Sequence, residues 1–191
     1  MLVSPGGYAV PTPNTSQSFY ESLFHRYKGR FAGYEVDFMI DNFLNQRHLR
    51  EVYGAAQQWL DGMHAAAVTY NISIQYCMAL PSDLLASVAH PHVTNYRASD
   101  DYAGSSSTNF NLQTSSLLGW AVDLRPSKDV FFSTANAPNN PYLRRLNPRH
   151  PSVPGVDLLL HAAIATLSTG PFSSFAFLLL SYQECHIFVS S

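Results

Sequence analysis

The spacing of hydrophobic and polar residues changes several times along the chain. Between Tyr34 and Phe38 the two types alternate, which is typical of a strand with two different faces. Tyr34, Val36 and Phe38 share one face, and Glu35 and Asp37 share the other. From residue 47 to residue 69, apolar residues recur at three-and-four spacing, as on one side of a long helix.

The rest of the chain continues this alternation of strand and helix. A weak helical spacing covers 19–30, and Asn71 is expected to end the long helix. Further on, the sequence predicts a strand at 72–78, a helical turn at 83–88, a strand at 93–97, a helix at 112–121, a strand at 129–133, a helix at 156–167 and a strand at 172–180. This order favours a parallel α/β sheet. Residues 1–18 are predicted as a loose leader.

Composition excludes several classes of function. Of the 191 residues, 46% are hydrophobic and 13% are charged, and the net charge is −2. A chain this apolar is not disordered. Without a basic field, neither nucleic acid nor a membrane is an expected partner. The length favours one domain and is too short for a complete eight-stranded α/β barrel, which takes roughly 250 residues. No signal peptide is recognised, and localisation stays open.

Three carboxylates occur where a parallel sheet concentrates its chemistry. Asp37 lies in the first strand, and Asp100 and Asp101 follow the strand that ends at Arg97. Reactive groups collect at the carboxyl ends of parallel strands. Two acids from different strands could flank a glycosidic bond, one as nucleophile and one as acid/base. The alternatives are a structural hydrogen bond for Asp37 and helix capping for the other two.

The sequence gives no pattern that is typical of a metal or cofactor site. His90-Pro91-His92 places two imidazoles two residues apart, but no third ligand follows at a fixed offset, so a zinc site is not expected. Dinucleotide-binding glycines, a phosphate-binding loop and a serine nucleophile elbow are all lacking. We therefore expect neither a metal nor an organic cofactor.

Two segments resemble catalytic motifs of the α-galactosidase-like retaining glycoside hydrolases, which include melibiases, raffinose synthases and alkaline α-galactosidases. Residues 34–38, Tyr-Glu-Val-Asp-Phe, are similar to the strand that ends in the family's nucleophile. Residues 97–102, Arg-Ala-Ser-Asp-Asp-Tyr, are similar to its acid/base motif after the sixth barrel strand. Strand five, strand seven, the following helix and the entry to strand eight have counterparts at 74–78, 127–132, 158–169 and 170–171. The resemblance covers about residues 19–171.

This resemblance implies a partial (β/α)8 TIM barrel over residues 19–180, roughly strands four to eight. The family's first three strands have no counterpart, and residues 181–191 are expected to be a tail that is foreign to the family. Asp37 would attack the anomeric carbon, and Asp101 would protonate the leaving oxygen and then activate water. The implied partner is a carbohydrate with a terminal α-linked sugar, most simply an α-galactoside.

The resemblance also implies sugar-binding roles around these two acids. Arg97 would bind sugar hydroxyls or orient the nucleophile, and its alternative is a salt bridge to Asp100, which is itself a candidate for substrate binding. Tyr76 and Cys77 would line the pocket at the end of strand five, and their alternative is core packing. Asp83 would reach the sugar from the following loop.

Other interpretations of the chain stay open. A partial barrel would lack part of the sugar pocket, so the chain could be an inactive fragment of the enzyme. It could also be a noncatalytic carbohydrate-binding or interaction protein derived from the barrel. A third interpretation is an unrelated parallel α/β domain, in which the motifs occur by chance. The positions of Asp37 and Asp101 in a structure would distinguish this last alternative.

Overall fold

The computed structural model of the chain describes residues 1–4, 7, 9–99, 115–129, 131–132, 158–168, 170 and 174–175. These residues fall into two compact units, the first up to Thr94 and the second from Asn95 onward. The sequence predicted one domain. In the described part of the chain, no helix has both the length and the apolar character needed to cross a membrane.

Helices and strands alternate in both units, as the hydrophobic pattern predicted. The first unit contains β1 (Leu2–Val3), β2 (Ala9–Val10), α1 (Ser16–Arg26), β3 (Gly33–Val36), α2 (Met39–Asn45), α3 (Arg47–Glu51), α4 (Ala55–Tyr70), β4 (Ser73–Tyr76) and α5 (Pro81–Ala86). From β5 (Val93–Arg97) the chain continues with α6 (Ser115–Ala121), β6 (Arg125–Ser127), β7 (Phe131–Phe132), α7 (Leu158–Leu167) and β8 (Ser174–Phe175). The prediction of an α/β fold is confirmed.

The main sheet has four parallel strands in the order β3-β4-β5-β6. In the pair of β3 and β4, Gly33 lies opposite Ser73 and Val36 lies opposite Tyr76. In the pair of β5 and β6, Arg97 lies opposite Ser127. β7 and β8 pair in parallel as a further two-stranded sheet. Strands that are neighbours in the main sheet are therefore neighbours along the chain.

An aromatic cluster packs α1 against the first strand of the main sheet. Phe24 is fully buried, and its ring contacts the rings of Tyr20, Phe31, Tyr34 and Tyr70 at centroid distances of 5.4–6.4 Å. Burial of one such side chain contributes about 1.5–3 kcal/mol. The apolar core of the first unit thus lies on the side of the sheet that faces the helices.

The first eighteen residues differ from the predicted loose leader. β1 and β2 pair antiparallel, with Leu2 opposite Val10. Ser16 is fully buried at the start of α1, and its hydroxyl donates a hydrogen bond to the carbonyl oxygen of Trp59 at 2.6 Å. A short polar side chain thus joins α1 to α4, and the polar composition that predicted a leader serves a helix contact.

Backbone geometry divides the long helix that the sequence predicted over 47–69. The chain leaves α3 after Glu51, and Gly54 has a φ of 76° before α4 begins. Glycine adopts this left-handed conformation without steric cost. Asn71 ends α4 with a φ of 51°, as asparagine often does, so the predicted end of the helix is confirmed.

The strand β7, Phe131 and Phe132, lies inside the strand expected at 129–133. The structure also has β6, which ends at Ser127, before the predicted start. Pro126 lies inside β6, and a proline ordinarily argues against a strand because it donates no ladder hydrogen bond. The apolar pattern therefore predicted a strand at β7 and missed β6, the strand that belongs to the main sheet.

Candidate functional site

The strands β3 and β4 have one face towards the helices and one face that is polar. The ring of Tyr34 packs against the aromatic rings of α1, and the hydroxyl of Tyr76 lies 2.7 Å from Nε2 of His64 in α4. Since side chains alternate along a strand, Glu35 and Gln75 point to the opposite face. There, Nε2 of Gln75 donates a hydrogen bond to Oε2 of Glu35 at 2.9 Å.

Asp37 follows β3 directly and is half-buried. Its Oδ1 accepts a hydrogen bond from the N–H of Phe38 at 2.7 Å. Phe38 has a φ of 55°, in the left-handed region, and α2 begins at the next residue. Nδ2 of Asn42 donates to the carbonyl oxygen of Asp37 at 3.2 Å. The turn between β3 and α2 therefore fixes the direction of this carboxylate.

Cys77 occupies the position after β4 that Asp37 occupies after β3. It is fully buried, its N–H donates to the carbonyl oxygen of Val36 at 3.0 Å, and its own carbonyl oxygen accepts from the N–H of Met39 at 3.3 Å. The ligand atoms of Glu35, Asp37 and Cys77 all lie within 4.8 Å of one another. Two acids and a thiol thus meet at the carboxyl ends of adjacent parallel strands.

The donor atoms of this group could share a proton or a cation at these distances. Exposed acidic groups commonly lie this close without an ion, and structural zinc sites take four ligands, mostly cysteine and histidine. The geometry alone therefore assigns no metal to this group. The acids themselves remain available for nucleophilic or acid–base chemistry.

Two of the residues predicted to bind sugar have structural contacts in the first unit. Tyr76 is fully buried, and its hydroxyl contacts α4 on the face opposite to Asp37, which is the core-packing alternative. Burial raises the pKa of this phenol. Asp83 lies in the first turn of α5, where its Oδ2 accepts a hydrogen bond from the N–H of Leu80 at 2.8 Å. Burial raises the pKa of the Asp83 carboxyl.

In the second unit, Arg97 ends β5 and pairs with an acid that the sequence did not indicate. Its Nη1 lies 3.7 Å from Oδ1 of Asp129, and the side chains are only 10% and 17% exposed. The backbone N–H of Asp129 donates to Oγ of Ser99 at 2.7 Å. The predicted partner Asp100 and the predicted acid/base Asp101 lie outside the described residues.

Lys128 is a further ionisable group at this end of β6. It is buried, and its Nζ donates a hydrogen bond to the carbonyl oxygen of Asp129 at 3.3 Å. Burial lowers the pKa of Lys128 to about 8, although the charge of Asp129 opposes the shift. In the sequence, Lys128 and Asp129 form a charged pair directly after β6. The predicted strand at 129–133 missed this pattern, because it counted Asp129 as a strand residue.

The structure thus brings Asp37 and Cys77 together in the first unit and holds Arg97 in an ion pair in the second. Sequence reasoning missed the hydrogen bond between Gln75 and Glu35, although the alternation over 34–38 already placed Glu35 and Asp37 on one face.

A groove of about 440 Å³ lies elsewhere in the first unit, beside Tyr53 and the start of α4. It contains none of the residues predicted from the sequence.

Comparisons of the chain with models of protein families, with curated proteins and with solved structures found no match. The class of protein that the fold defines is an α/β protein with a parallel sheet.

Proposed function

We propose that the chain carries catalytic residues of a retaining glycoside hydrolase that acts on terminal α-linked sugars, with an α-galactoside as the first candidate. One observation carries the proposal. Asp37, which the family resemblance marks as the nucleophile, lies at the carboxyl end of a parallel strand, on the face opposite to α1 and α4. Reactive groups of α/β barrels occupy this end of the strands.

The strand order supports a segment of a (β/α)8 barrel. In a barrel, each strand is followed by a helix and the next strand lies beside it. In a doubly wound sheet, the order of the strands reverses at a switch point. The order β3-β4-β5-β6 follows the chain without reversal. These strands would correspond to barrel strands four to seven, and the face that carries Glu35 and Gln75 would be the interior.

In the proposed mechanism, the ionised Asp37 attacks the anomeric carbon and forms a covalent glycosyl-enzyme. Asp101 donates a proton to the leaving oxygen and then takes one from the attacking water. A retaining enzyme needs its two carboxyl groups about 5–5.5 Å apart in the assembled site. The turn at Phe38 holds Asp37 by one oxygen. Arg97, already held by Asp129, offers guanidinium donors for sugar hydroxyls.

The test is turnover and covalent labelling of the 191-residue chain. An aryl α-galactoside would serve as substrate, and an activated fluorinated galactoside would trap the glycosyl-enzyme. We expect the label on the peptide that contains Asp37. Asp37→Asn should lower turnover by at least about a thousandfold, because an amide does not replace a nucleophilic carboxylate. Asp41→Asn, an acid on α2 four residues further on, is the matched control and should keep activity.

The alternative functions give different results in the same experiment. A noncatalytic carbohydrate-binding protein would bind the sugar equally well with aspartate or asparagine at position 37 and would show no turnover. An unrelated α/β protein would show neither binding nor labelling. A cooperative thermal transition in each sample shows that the chain is folded, so that loss of activity is not loss of structure.

A further inference from the structure

Two buried histidines in the first unit stack against each other between α4 and the segment that leads to β5. The rings of His64 and His90 have centroids 3.7 Å apart and an interplanar angle of 26°. The residues are only 4% and 9% exposed. We refer to these two residues as the histidine pair. Two imidazole rings stacked at this distance are far more stable when both are neutral than when both are charged, because like charges repel.

Each ring of the histidine pair has a different polar partner. Nε2 of His64 lies 2.7 Å from the hydroxyl of Tyr76. Nε2 of His90 lies 3.3 Å from Oδ1 of Asp61, a half-exposed carboxylate. Nδ1 of His64 is buried, and among the described residues it has no hydrogen-bond partner. A protonated His64 would need acceptors at both nitrogens, so a charge on this ring would be poorly accommodated.

The other titratable and polar groups near the histidine pair do not change this conclusion. From α4, Nε2 of Gln57 lies 3.4 Å from Nε2 of His90 and also donates a hydrogen bond to Oδ1 of Asp61 at 2.8 Å. His92 has its Nδ1 3.1 Å from the carbonyl oxygen of Ile72, and its charge would also repel a charged His64. The negative charge of the Asp83 carboxyl helps to raise the pKa of the Tyr76 hydroxyl. The nearest carboxylate, Asp61, favours a proton on His90.

We propose that the histidine pair is an acid-sensitive lock that joins α4 to residues 87–92. The lock is closed while His64 is neutral, and it opens when His64 takes up a proton. Residues 87–92 are anchored to β4 by the hydrogen bond from the N–H of Ile74 to the carbonyl oxygen of His92, at 2.7 Å. Opening would therefore loosen the sheet next to Cys77. The proposal does not depend on glycosidase activity.

The direction of the pH effect follows from the two protonation states. Burial, together with His90 and His92, lowers the pKa of His64 to about 3, and burial lowers the pKa of His90 although Asp61 opposes it. The open form takes up a proton at the ordinary histidine pKa of about 6.5, while the closed form does not. The contribution to stability is complete above about pH 6.5 and is lost as the pH falls towards about 3.

Urea unfolding of the full chain between pH 7 and pH 5 tests the lock. One proton bound on opening raises the unfolding equilibrium constant up to about tenfold per pH unit, and carboxylates contribute little in this window. His64→Gln, which keeps a polar partner for Tyr76, should remove this increment. His48→Gln, at an exposed histidine of α3, should leave it unchanged. Equal pH slopes in the wild type and in His64→Gln would overturn the proposal.

Nuclear magnetic resonance of the wild-type chain gives an independent measurement, which holds even if His64→Gln does not fold. We expect the imidazole resonances of His64 to keep constant shifts from pH 8 to pH 5, because the ring stays neutral in the folded chain over this range. The amide of Ile74 should lose protection from hydrogen exchange as the pH falls, after correction for the intrinsic rate. Titration of His64 near pH 6.5 in the folded chain would contradict the lock.

Discussion

The two faces of the strands β3 and β4 share one backbone ladder and differ only in their side chains. On the face towards the helices, Tyr34 packs on aromatic rings and Ile74 is fully buried. On the other face, Glu35 and Gln75 form a hydrogen bond. Parallel sheets that have helices on both faces have strands that are apolar throughout. The pair of β3 and β4 therefore has its apolar packing on the helix side and its polar contacts on the other side.

The largest difference in stability between the two faces is expected at two neighbouring positions in β4. Ile74→Ala removes a fully buried side chain and should lower the free energy of unfolding by about 2–5 kcal/mol. Gln75→Ala removes one hydrogen bond to Glu35 and should cost about 1 kcal/mol. Chemical denaturation of both variants measures the difference. Ile74→Val, with an expected cost of about 0.5–1.5 kcal/mol, is the conservative control for the helix side. Equal costs for the two alanine variants would show that the two faces contribute equally to stability.

The helices α1 and α4, which cover the apolar face, approach each other closely at Gly62. A Cβ added to Gly62 of α4 would lie 2.6 Å from the backbone nitrogen of Gln17 and 2.7 Å from Cβ of Ser16. Overpacking of this kind costs about 1–3 kcal/mol, while alanine gains up to about 1 kcal/mol over glycine in a helix. We expect Gly62→Ala to be less stable than the wild type by about 1–2 kcal/mol, as measured by thermal denaturation.

An exposed position on the same helix provides the control for Gly62. Val68 is 57% exposed, so Val68→Ala should change stability by no more than about 0.5 kcal/mol. A stabilised Gly62→Ala variant would mean that α1 and α4 do not approach each other as closely as the structure indicates.

Local patterns predicted those parts of the fold that depend on neighbours in the sequence. The strand at 93–97 and the end of α4 at Asn71 are confirmed, because alternation and the asparagine cap act over a few residues. Alternation over 34–38 also separated the two faces of β3. β6 was missed because its central residue is Pro126, and a strand accepts proline mainly at the edge of a sheet; β6 is the last strand in the order β3-β4-β5-β6.

The contacts of the candidate site are long-range, and no local pattern contains them. Glu35 meets Gln75 only through the register of β3 and β4. Arg97 meets Asp129 across a separation that includes a helix, and the sequence offered Asp100 as the nearer partner. Register and crossover geometry decide such pairs, and they are properties of the assembled sheet. The residue type at a strand end could be predicted, whereas its partner could not.

Substitution of Asp37 is expected to have the smallest effect on stability and the largest effect on activity. Asp37 is half-buried, and its Oδ1 accepts a hydrogen bond from the N–H of Phe38. Asparagine offers a carbonyl oxygen of the same reach, so Asp37→Asn should change the free energy of unfolding by no more than about 0.5 kcal/mol. Equilibrium denaturation beside the labelling experiment measures both properties in one sample. A loss of more than about 2 kcal/mol would assign Asp37 to the structure of the turn, whereas unchanged stability with lost turnover would assign the polar face to catalysis.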